Sequence, residues 1–263
     1  MLAGVGRIGR IGGAGTGSAG GAIEAFISVW ATTVVDETIT IPCQNFGTFN
    51  AVVDWGDGTP TSTITTYNDA DLAHEYAAIG EHTISITGTF PNIYLNFGSQ
   101  RYNIKKVLNL GTVGWTRLNN AFRGCATLSE FTVGSTDTSA VTTMAIMFDS
   151  CIELTSIDVY SFDTANVTNM NGMFANCNAL TSIVGVEDWA ITGLNSIGDL
   201  TSFLTGGKMT TAQYNNLLIN WEAQASVIPA MTAAFGASEY TGGGAAATAH
   251  ASLTDVYGWS IGD

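Results

Sequence analysis

A repeat of 26 residues in the middle of the chain constrains its fold more than any other feature of the sequence. Two columns of identical residues keep this spacing: Phe122, Phe148 and Phe174, and Cys125, Cys151 and Cys177. A period of about 20–29 residues is typical of stacked coils that each add one short strand. The spacing therefore predicts coils with strands about 4.8 Å apart and with the phenylalanines stacked inward.

The four cysteines fit this packing better than they fit a redox or metal site. No two of them form a CxxC pair, so neither a zinc site nor a disulfide scaffold is expected. A free cysteine behaves as a small buried hydrophobe with a weak S–H donor. The repeated cysteines are therefore expected to form a buried column that faces loop carbonyls.

The chain before the repeats has the pattern of β-strands. Residues 25–30 form an apolar run, residues 50–55 continue it, and residues 38–42 and 82–88 alternate polar with apolar side chains. A dense turn signal, GDGTP, occupies residues 56–60. This region is therefore predicted to be a β domain.

Three motifs in this region resemble the PKD (polycystic kidney disease) domain family. They are VDWGDG at residues 53–58, HEY at 74–76 and GEHTI at 80–84. The resemblance covers roughly 75 residues of the chain. It implies an immunoglobulin-like β-sandwich that serves as a spacer or as a carbohydrate-facing module of a surface protein.

The repeats resemble the BspA-type leucine-rich repeat of bacterial surface proteins and some phage proteins. The strings that carry the resemblance are SFDT at 161–164, NVTNMNGMF at 166–174 and LTSI at 180–183. The first repeat departs from the pattern and a fourth, around 194–204, is degenerate, as terminal repeats often are. The fold class expected is mainly β: an Ig-like sandwich, a short leucine-rich-repeat solenoid and a helical C-terminal cap.

The C-terminal segment reads as that cap. Tyr214, Leu217, Leu218 and Trp221 fall on one face of a helix predicted over residues 210–221, with Thr210 or Thr211 as the N-cap. An alanine-rich helix is expected over 245–253 and a strand-like end over 257–261. The ending GWSIGD resembles the tail that follows such repeats in phage-encoded proteins.

The sequence thus divides into four segments: a glycine-rich anchor at 1–21, the PKD-like domain at 22–97, the repeats at 98–205 and the cap at 206–263. The glycine-rich segment holds two GxGxxG matches, but no strand precedes either of them, so no dinucleotide site is expected. We expect this segment to plug the protein into a larger assembly. Its candidate anchor residues are Arg7, Ile8, Arg10 and Ile11.

Charge limits the partners. Acidic residues number 22 and basic residues 8, which gives a formal net charge of −14. No cluster of Lys and Arg stands out, so neither nucleic acid nor an anionic membrane is expected as a partner. No apolar run is long enough for a transmembrane helix, and the N-terminus does not have the pattern of a secretory signal.

Few residues suggest chemistry. Asp54, Asp57, Asp69 and Asp71 contain the oxygens that calcium prefers but lack the spacing of a calcium loop. His74 and His82 are expected to be packing or turn residues, because no third group completes a triad. No cofactor is expected. A polysaccharide depolymerase would need two carboxylates across a groove, which sequence alone does not establish.

The function expected is therefore non-enzymatic: a phage virion protein of the tail, collar or head that displays adhesive β-modules for host attachment. The alternative is a bacterial cell-surface adhesin built from the same modules. Expected partners are other virion proteins and a host glycan or protein, and a homo-oligomer is compatible with an appendage. The candidate binding face on the repeats comprises Asp158, Tyr160 and Asp163, because aromatic rings beside polar groups often line such contacts.

Overall fold

The structure, a computed structural model, describes residues 24–263 and is mainly β with two α-helices. The predicted anchor residues Arg7, Ile8, Arg10 and Ile11 lie outside the described residues. Within residues 24–263, no helix has the length and apolar character needed to cross a membrane.

The first eight strands build one large sheet and one small one. In chain order they are β1 (Phe26–Thr32), β2 (Glu37–Thr40), β3 (Asn50–Asp54), β4 (Ser62–Ile64), β5 (Ala73–Tyr76), β6 (Gly80–Thr89), β7 (Ile104–Asn109) and β8 (Glu130–Phe131). The six-stranded sheet has the order β4-β3-β6-β1-β7-β8, and β2 pairs separately with β5. The strands predicted around 25–30, 38–42, 50–55 and 82–88 are confirmed as β1, β2, β3 and β6.

Alternation along the strands places their apolar side chains in one core. On β6, Ile84 and Ile86 are buried while Glu81 and Thr83 point away from the core. Trp55 and Tyr76 are buried beside them, and the Tyr76 hydroxyl donates to the Trp55 carbonyl (2.8 Å). A buried tyrosine is thereby supplied with the partner that its hydroxyl requires.

The large sheet continues from the first β region into the repeats. β1 pairs antiparallel with β6 along one edge and with β7 along the other. β7 in turn pairs in parallel with β8, which is the strand of the next coil. Strand β7 therefore pairs with a strand of each region. The buried side chains of the two regions form one continuous hydrophobic core.

The coils stack in parallel at the predicted period. β9 (Ser156–Asp158) and β10 (Ser182–Val184) pair in parallel register, with Ile157 opposite Ile183. The rings of Phe122 and Phe148 stack with centroids 5.7 Å apart, and those of Phe148 and Phe174 at 5.4 Å. The predicted inward column of phenylalanines is confirmed.

A second ladder of hydrogen bonds runs along the turns opposite the strands. The N–H groups of Phe122, Phe148 and Phe174 donate to the carbonyls of Met147, Met173 and Phe203, at 2.9, 2.8 and 2.8 Å. The last step spans four more residues than the step before it, so the fourth coil carries an insertion. This insertion explains why the fourth repeat looks degenerate in the sequence.

Each turn uses two residues with left-handed backbone. One such column comprises Asn120, Ile146, Gly172 and Ser202, and the other comprises Gly124, Ser150, Asn176 and Gly206. Glycine and asparagine tolerate this conformation, whereas a β-branched residue such as Ile146 is strained in it. Equivalent turn positions therefore have the same positive φ although their residue types differ.

The turn ladder begins before the first 26-residue repeat. Leu95 and Phe97 donate their N–H groups to the carbonyls of Ala121 and Arg123, both at 3.0 Å. Phe97 also has left-handed backbone, as does Gly124 one coil later. Residues 94–98 therefore form a row of the ladder inside the segment that the sequence assigned to the first module.

The C-terminal segment closes the far end of the stack. Helix α1 (Thr211–Glu222) has a capping box between Thr210 and Gln213, and its buried face is the predicted one. Helix α2 (Gly244–Ala251) is followed by a π-helical turn at Ser252–Val256. Strands β11 (Thr232–Ala234) and β12 (Ser260–Gly262) pair in parallel. The two predicted helices and the strand-like end are confirmed.

Candidate functional site

A shallow groove lies at the carboxyl ends of the coil strands. Its volume is about 330 Å3, at the lower limit of small-ligand sites. Its lining residues are Thr132, Val133, Gly134, Asp158, Tyr160, Ser161 and Val184. The structure thus brings Asp158 and Tyr160, two of the three predicted binding residues, into one groove.

Glycines occupy the positions equivalent to Tyr160 in the coils before and after it. Asn109, Gly134, Tyr160 and Gly185 follow one another at the coil spacing. A Cβ on Gly185 would overlap the Tyr160 backbone, and one on Gly134 would overlap the Asn109 side chain. Tyr160 itself is 56% exposed. The exposed ring borders the groove.

Asp158 has one carboxylate oxygen committed to the backbone and one available. Its Oδ1 accepts the Tyr160 N–H at 3.0 Å, which fixes the turn that positions the ring. Within residues 24–263, Oδ2 accepts no hydrogen bond. Asp158 Oδ2 is an acceptor, Thr132 and Ser161 contribute hydroxyl groups, and Tyr160 contributes an aromatic face. Together these groups suit a ligand rich in hydroxyl groups.

Asp163, the third predicted residue, does not line this groove. Its Oδ1 accepts the Ala165 N–H at 3.0 Å, and its backbone N–H donates to the Thr138 hydroxyl at 2.8 Å. Asp137 makes the equivalent turn with Ser139 one coil earlier. Asp163 therefore shapes a turn between coils.

Three of the four aspartates considered for calcium accept backbone N–H groups in turns. Asp54, Asp57 and Asp69 each accept an N–H from a residue two positions later, and Asp69 also receives the Thr65 N–H. Among residues 24–263, no group of three or more His, Cys, Asp or Glu side chains could hold a metal ion. The geometry gives these residues a structural role.

The histidines of the first β region belong to an aromatic cluster. His74 stacks on Trp55 with centroids 4.9 Å apart, and His82 stacks on Tyr76 at 3.7 Å. His74 Nε2 lies 2.7 Å from Asp57 Oδ2. Burial alone would raise the pKa of Asp57. Hydrogen bonds from Thr59 and His74, together with the charge of His74, outweigh it and lower that pKa to about 2.

The repeated cysteines are buried thiols that bond to neighbouring coils. Cys151 Sγ donates to the Phe122 carbonyl (3.2 Å), and Cys177 Sγ donates to the Phe148 carbonyl (2.9 Å). Burial raises the pKa of Cys177 to about 12 and that of Cys151 well above its ordinary value. A thiol held in this form is a poor nucleophile, so the predicted packing role is confirmed.

Two features that bear on binding were not predicted from the sequence. Arg101 and Arg123 both lie over the Phe97 ring, at 5.9 and 4.9 Å, and Arg101 also lies over Tyr102. Two of the eight basic residues thus lie beside one aromatic ring. Beside it lies a depression of about 450 Å3, and another of about 480 Å3 lies between the last coil and the cap.

Comparisons with known proteins locate a resemblance in the coils. No curated protein and no solved structure matches the chain. Residues 92–216, just under half of the chain, match the model of a protein family described as "Mycoplasma protein of unknown function, DUF285". The match begins beside the first row of the turn ladder, ends within α1, and includes none of residues 24–91. The coils, from their first ladder row to the first cap helix, are thus similar to this family.

Proposed function

We propose that this protein is a non-enzymatic adhesive module, and that the Tyr160 groove binds a neutral, hydroxyl-rich ligand such as a surface glycan. The observation that carries the proposal is the exposed Tyr160 ring beside the free oxygen of Asp158 in one groove. Aromatic faces bind the apolar faces of sugar rings, and carboxylates accept their hydroxyl protons.

The rigidity of the site favours recognition over chemistry. The groove is built on strands β8, β9 and β10 and on the turns that follow them, and these belong to the continuous core. A preformed site loses little conformational entropy when it binds. We read the first β region as a PKD-like sandwich and the coils as BspA-type repeats, both of which suit display on a surface.

A glycan array followed by titration calorimetry tests the ligand. Tyr160→Ala and Asp158→Asn are expected to weaken binding at least tenfold without changing Tm. Asparagine keeps the acceptor for the Tyr160 N–H but removes the charge. Tyr67→Ala, which removes a tyrosine 40% exposed in the first β region, is the matched control. Equal binding by Tyr160→Ala and wild type would reject the groove as the site.

We further propose that the module is carried on a phage particle, as a tail, collar or head appendage. The resemblance of the C-terminal tail to phage-encoded proteins supports this carrier. The matching family is described as a mycoplasma protein family, and this favours the second candidate, an adhesin on a bacterial surface.

Immunogold electron microscopy separates the two carriers. Gold on particles from a phage-producing culture is the outcome expected for the virion protein. Gold on cell envelopes with bare particles would instead establish the surface adhesin. Deletion of residues 1–21 should prevent incorporation into particles while the rest of the chain still folds.

A further inference from the structure

The turn ladder is open at its N-terminal edge. In its first row, Leu95 takes the place of Phe122 and Phe97 that of Gly124, so Tyr94 and Asn96 correspond to Ala121 and Arg123. The carbonyls of Ala121 and Arg123 each accept an N–H from the row before. Within residues 24–263, no donor reaches the carbonyl of Tyr94 or of Asn96.

Pro42 accounts for part of this opening. Its carbonyl accepts the Tyr94 N–H at 2.9 Å, so the chain at Pro42 begins to pair with the edge. A proline has no N–H to donate in return. Gln44, two residues later, donates its N–H to the side chain of Asn92 (2.7 Å) and not to the edge.

The opposite edge of the ladder is closed. Leu204 donates its N–H to the Ala234 carbonyl at 2.9 Å, and Phe235 donates to the Gly262 carbonyl at 2.7 Å. The cap therefore provides the fourth coil with a following row.

A groove of about 450 Å3 follows the open edge and is called here the ladder-edge groove. Its lining residues are Thr40, Pro42, Tyr94, Leu95, Asn96, Gly98, Ser99 and Gln100. Gln100 Oε1 is buried and has no hydrogen-bond partner among the described residues. The two backbone carbonyls and this amide oxygen are all acceptors. A ligand of this groove must therefore present donors.

A cation without a carboxylate partner among the described residues, Arg101, lies beside the ladder-edge groove. Residues 82–129 contain five Lys or Arg residues and no Asp or Glu. Arg123 is paired with Asp149, with its Nε 2.9 Å from Oδ2. Arg101 donates to the carbonyls of Phe97 and Gly98 and has no carboxylate partner within residues 24–263. The rim thus suits a carboxylate beside the donors.

We propose that the ladder-edge groove binds a short peptide segment of another protein, which adds one row to the turn ladder. Alternate N–H groups of the peptide donate to the carbonyls of Tyr94 and Asn96, in the same way that the N–H groups of one row donate to the carbonyls of the next row. An acidic side chain of the peptide lies beside Arg101. The regular spacing of the acceptors favours a peptide over a sugar, because backbone N–H groups repeat with the same step.

Selection from an mRNA-displayed library of random decapeptides against the full chain tests this proposal. The enriched peptides should contain Asp or Glu together with Gly or Asn, which suit the left-handed position of a row. By fluorescence anisotropy, Thr40→Trp and Ser99→Trp should weaken their binding at least tenfold, because both residues are exposed and line the groove. Tyr160→Ala should not change it, which separates this site from the Tyr160 groove.

N-methylation identifies the bonding pattern. Methylating one set of alternate N–H groups in the best peptide should weaken binding at least tenfold, while methylating the other set should have little effect. Equal losses from both sets, or no enriched peptide that discriminates wild type from Ser99→Trp, would overturn the proposal. Selection of oligosaccharides by the same groove on a glycan array would also overturn it.

Discussion

The first β region and the coils are stabilised by contacts of different kinds. In the first region each contact occurs once: the stacking of His74 on Trp55, the Tyr76 hydroxyl on the Trp55 carbonyl, and the pair of His74 with Asp57. In the coils one contact recurs at every turn of the stack, as the phenylalanine column does. The coils therefore contain internal controls, since one substitution can be compared at equivalent positions.

The largest effect is expected from Phe148→Ala, in the middle of the phenylalanine column. Phe148 is fully buried and packs against Phe122, Phe131 and Phe174. Removing a buried phenylalanine leaves a cavity and should lower the free energy of unfolding by about 3–5 kcal/mol. Urea unfolding measures it, with Phe46→Ala as the control, because Phe46 is 41% exposed.

The same variant tests whether the two regions unfold together. Because β1 pairs with both β6 and β7, hydrogen exchange should become faster in the first region as well as in the coils. Faster exchange confined to residues 90–263 would show that the shared sheet does not couple them.

A smaller loss is expected from Asp149→Ala. This buried carboxylate receives bonds from Arg123 Nε at 2.9 Å and from Asn176 Nδ2 at 2.8 Å, so it ties three successive coils together. Its removal leaves a partly buried guanidinium and an amide without their acceptor, at a cost of about 2–3 kcal/mol. Thermal unfolding checks the value. Asp137→Ala, in an exposed turn, should cost much less, and equal costs would contradict the account.

Ile146→Asn is expected to stabilise the protein. Ile146 has φ 59°, a conformation that strains a β-branched residue, whereas its equivalents are Asn120, Gly172 and Ser202. Asparagine tolerates this conformation, so we expect a gain of about 1 kcal/mol. Ile152→Asn, in the same coil, is the control, because Ile152 is not among the residues with positive φ. A loss of stability at position 146 would mean that packing outweighs the strain.

The smallest effect is expected from pH in the first β region. The pKa of Asp57 is lowered from its ordinary value of 3.8 to about 2. The stability that this carboxylate contributes is therefore present above about pH 4 and is lost as the pH falls through 2. Asp57→Asn should be less stable than wild type at pH 5, and the difference should shrink as the pH falls to 2. A constant difference between pH 5 and 2 would contradict this assignment.

The coils were largely predictable because their information repeats. The phenylalanine and cysteine columns, the strand at β9 and the buried face of α1 follow from spacing alone. The ladder row at Leu95 was not predictable, because it has no phenylalanine or cysteine at the repeat spacing. The continuation of the sheet through β7 was also hidden, because periodicity within one strand does not identify its neighbours.

The candidate site was predicted in part for a similar reason. Tyr160 and Asp158 were identifiable as an aromatic residue and a carboxylate in a repeat, but the groove that they share is lined by residues of three coils, which the sequence of one coil does not bring together. The ladder-edge groove depends on missing hydrogen bonds, which leave no signature in residue type. Asp163 looked equivalent to Asp158 in the sequence, and each carboxylate accepts the N–H two residues later, but only Asp158 lines the groove.

The single direction of the turn ladder gives the stack an electrical polarity. Within the turn ladder, the N–H groups of Phe122, Phe148 and Phe174 all point toward the C-terminal cap, and the carbonyls that accept ladder bonds point back toward the first β region. Aligned peptide dipoles of this kind add up, as they do in a helix, and leave partial negative charge at the carbonyl end. Arg101, Lys105 and Arg123 lie at that end, where cations offset this charge, while residues 130–263 contain 13 acidic residues and a single Lys or Arg. A chain extended by further coils would strengthen this polarity, so its basic residues should be retained at the first row however many coils are added.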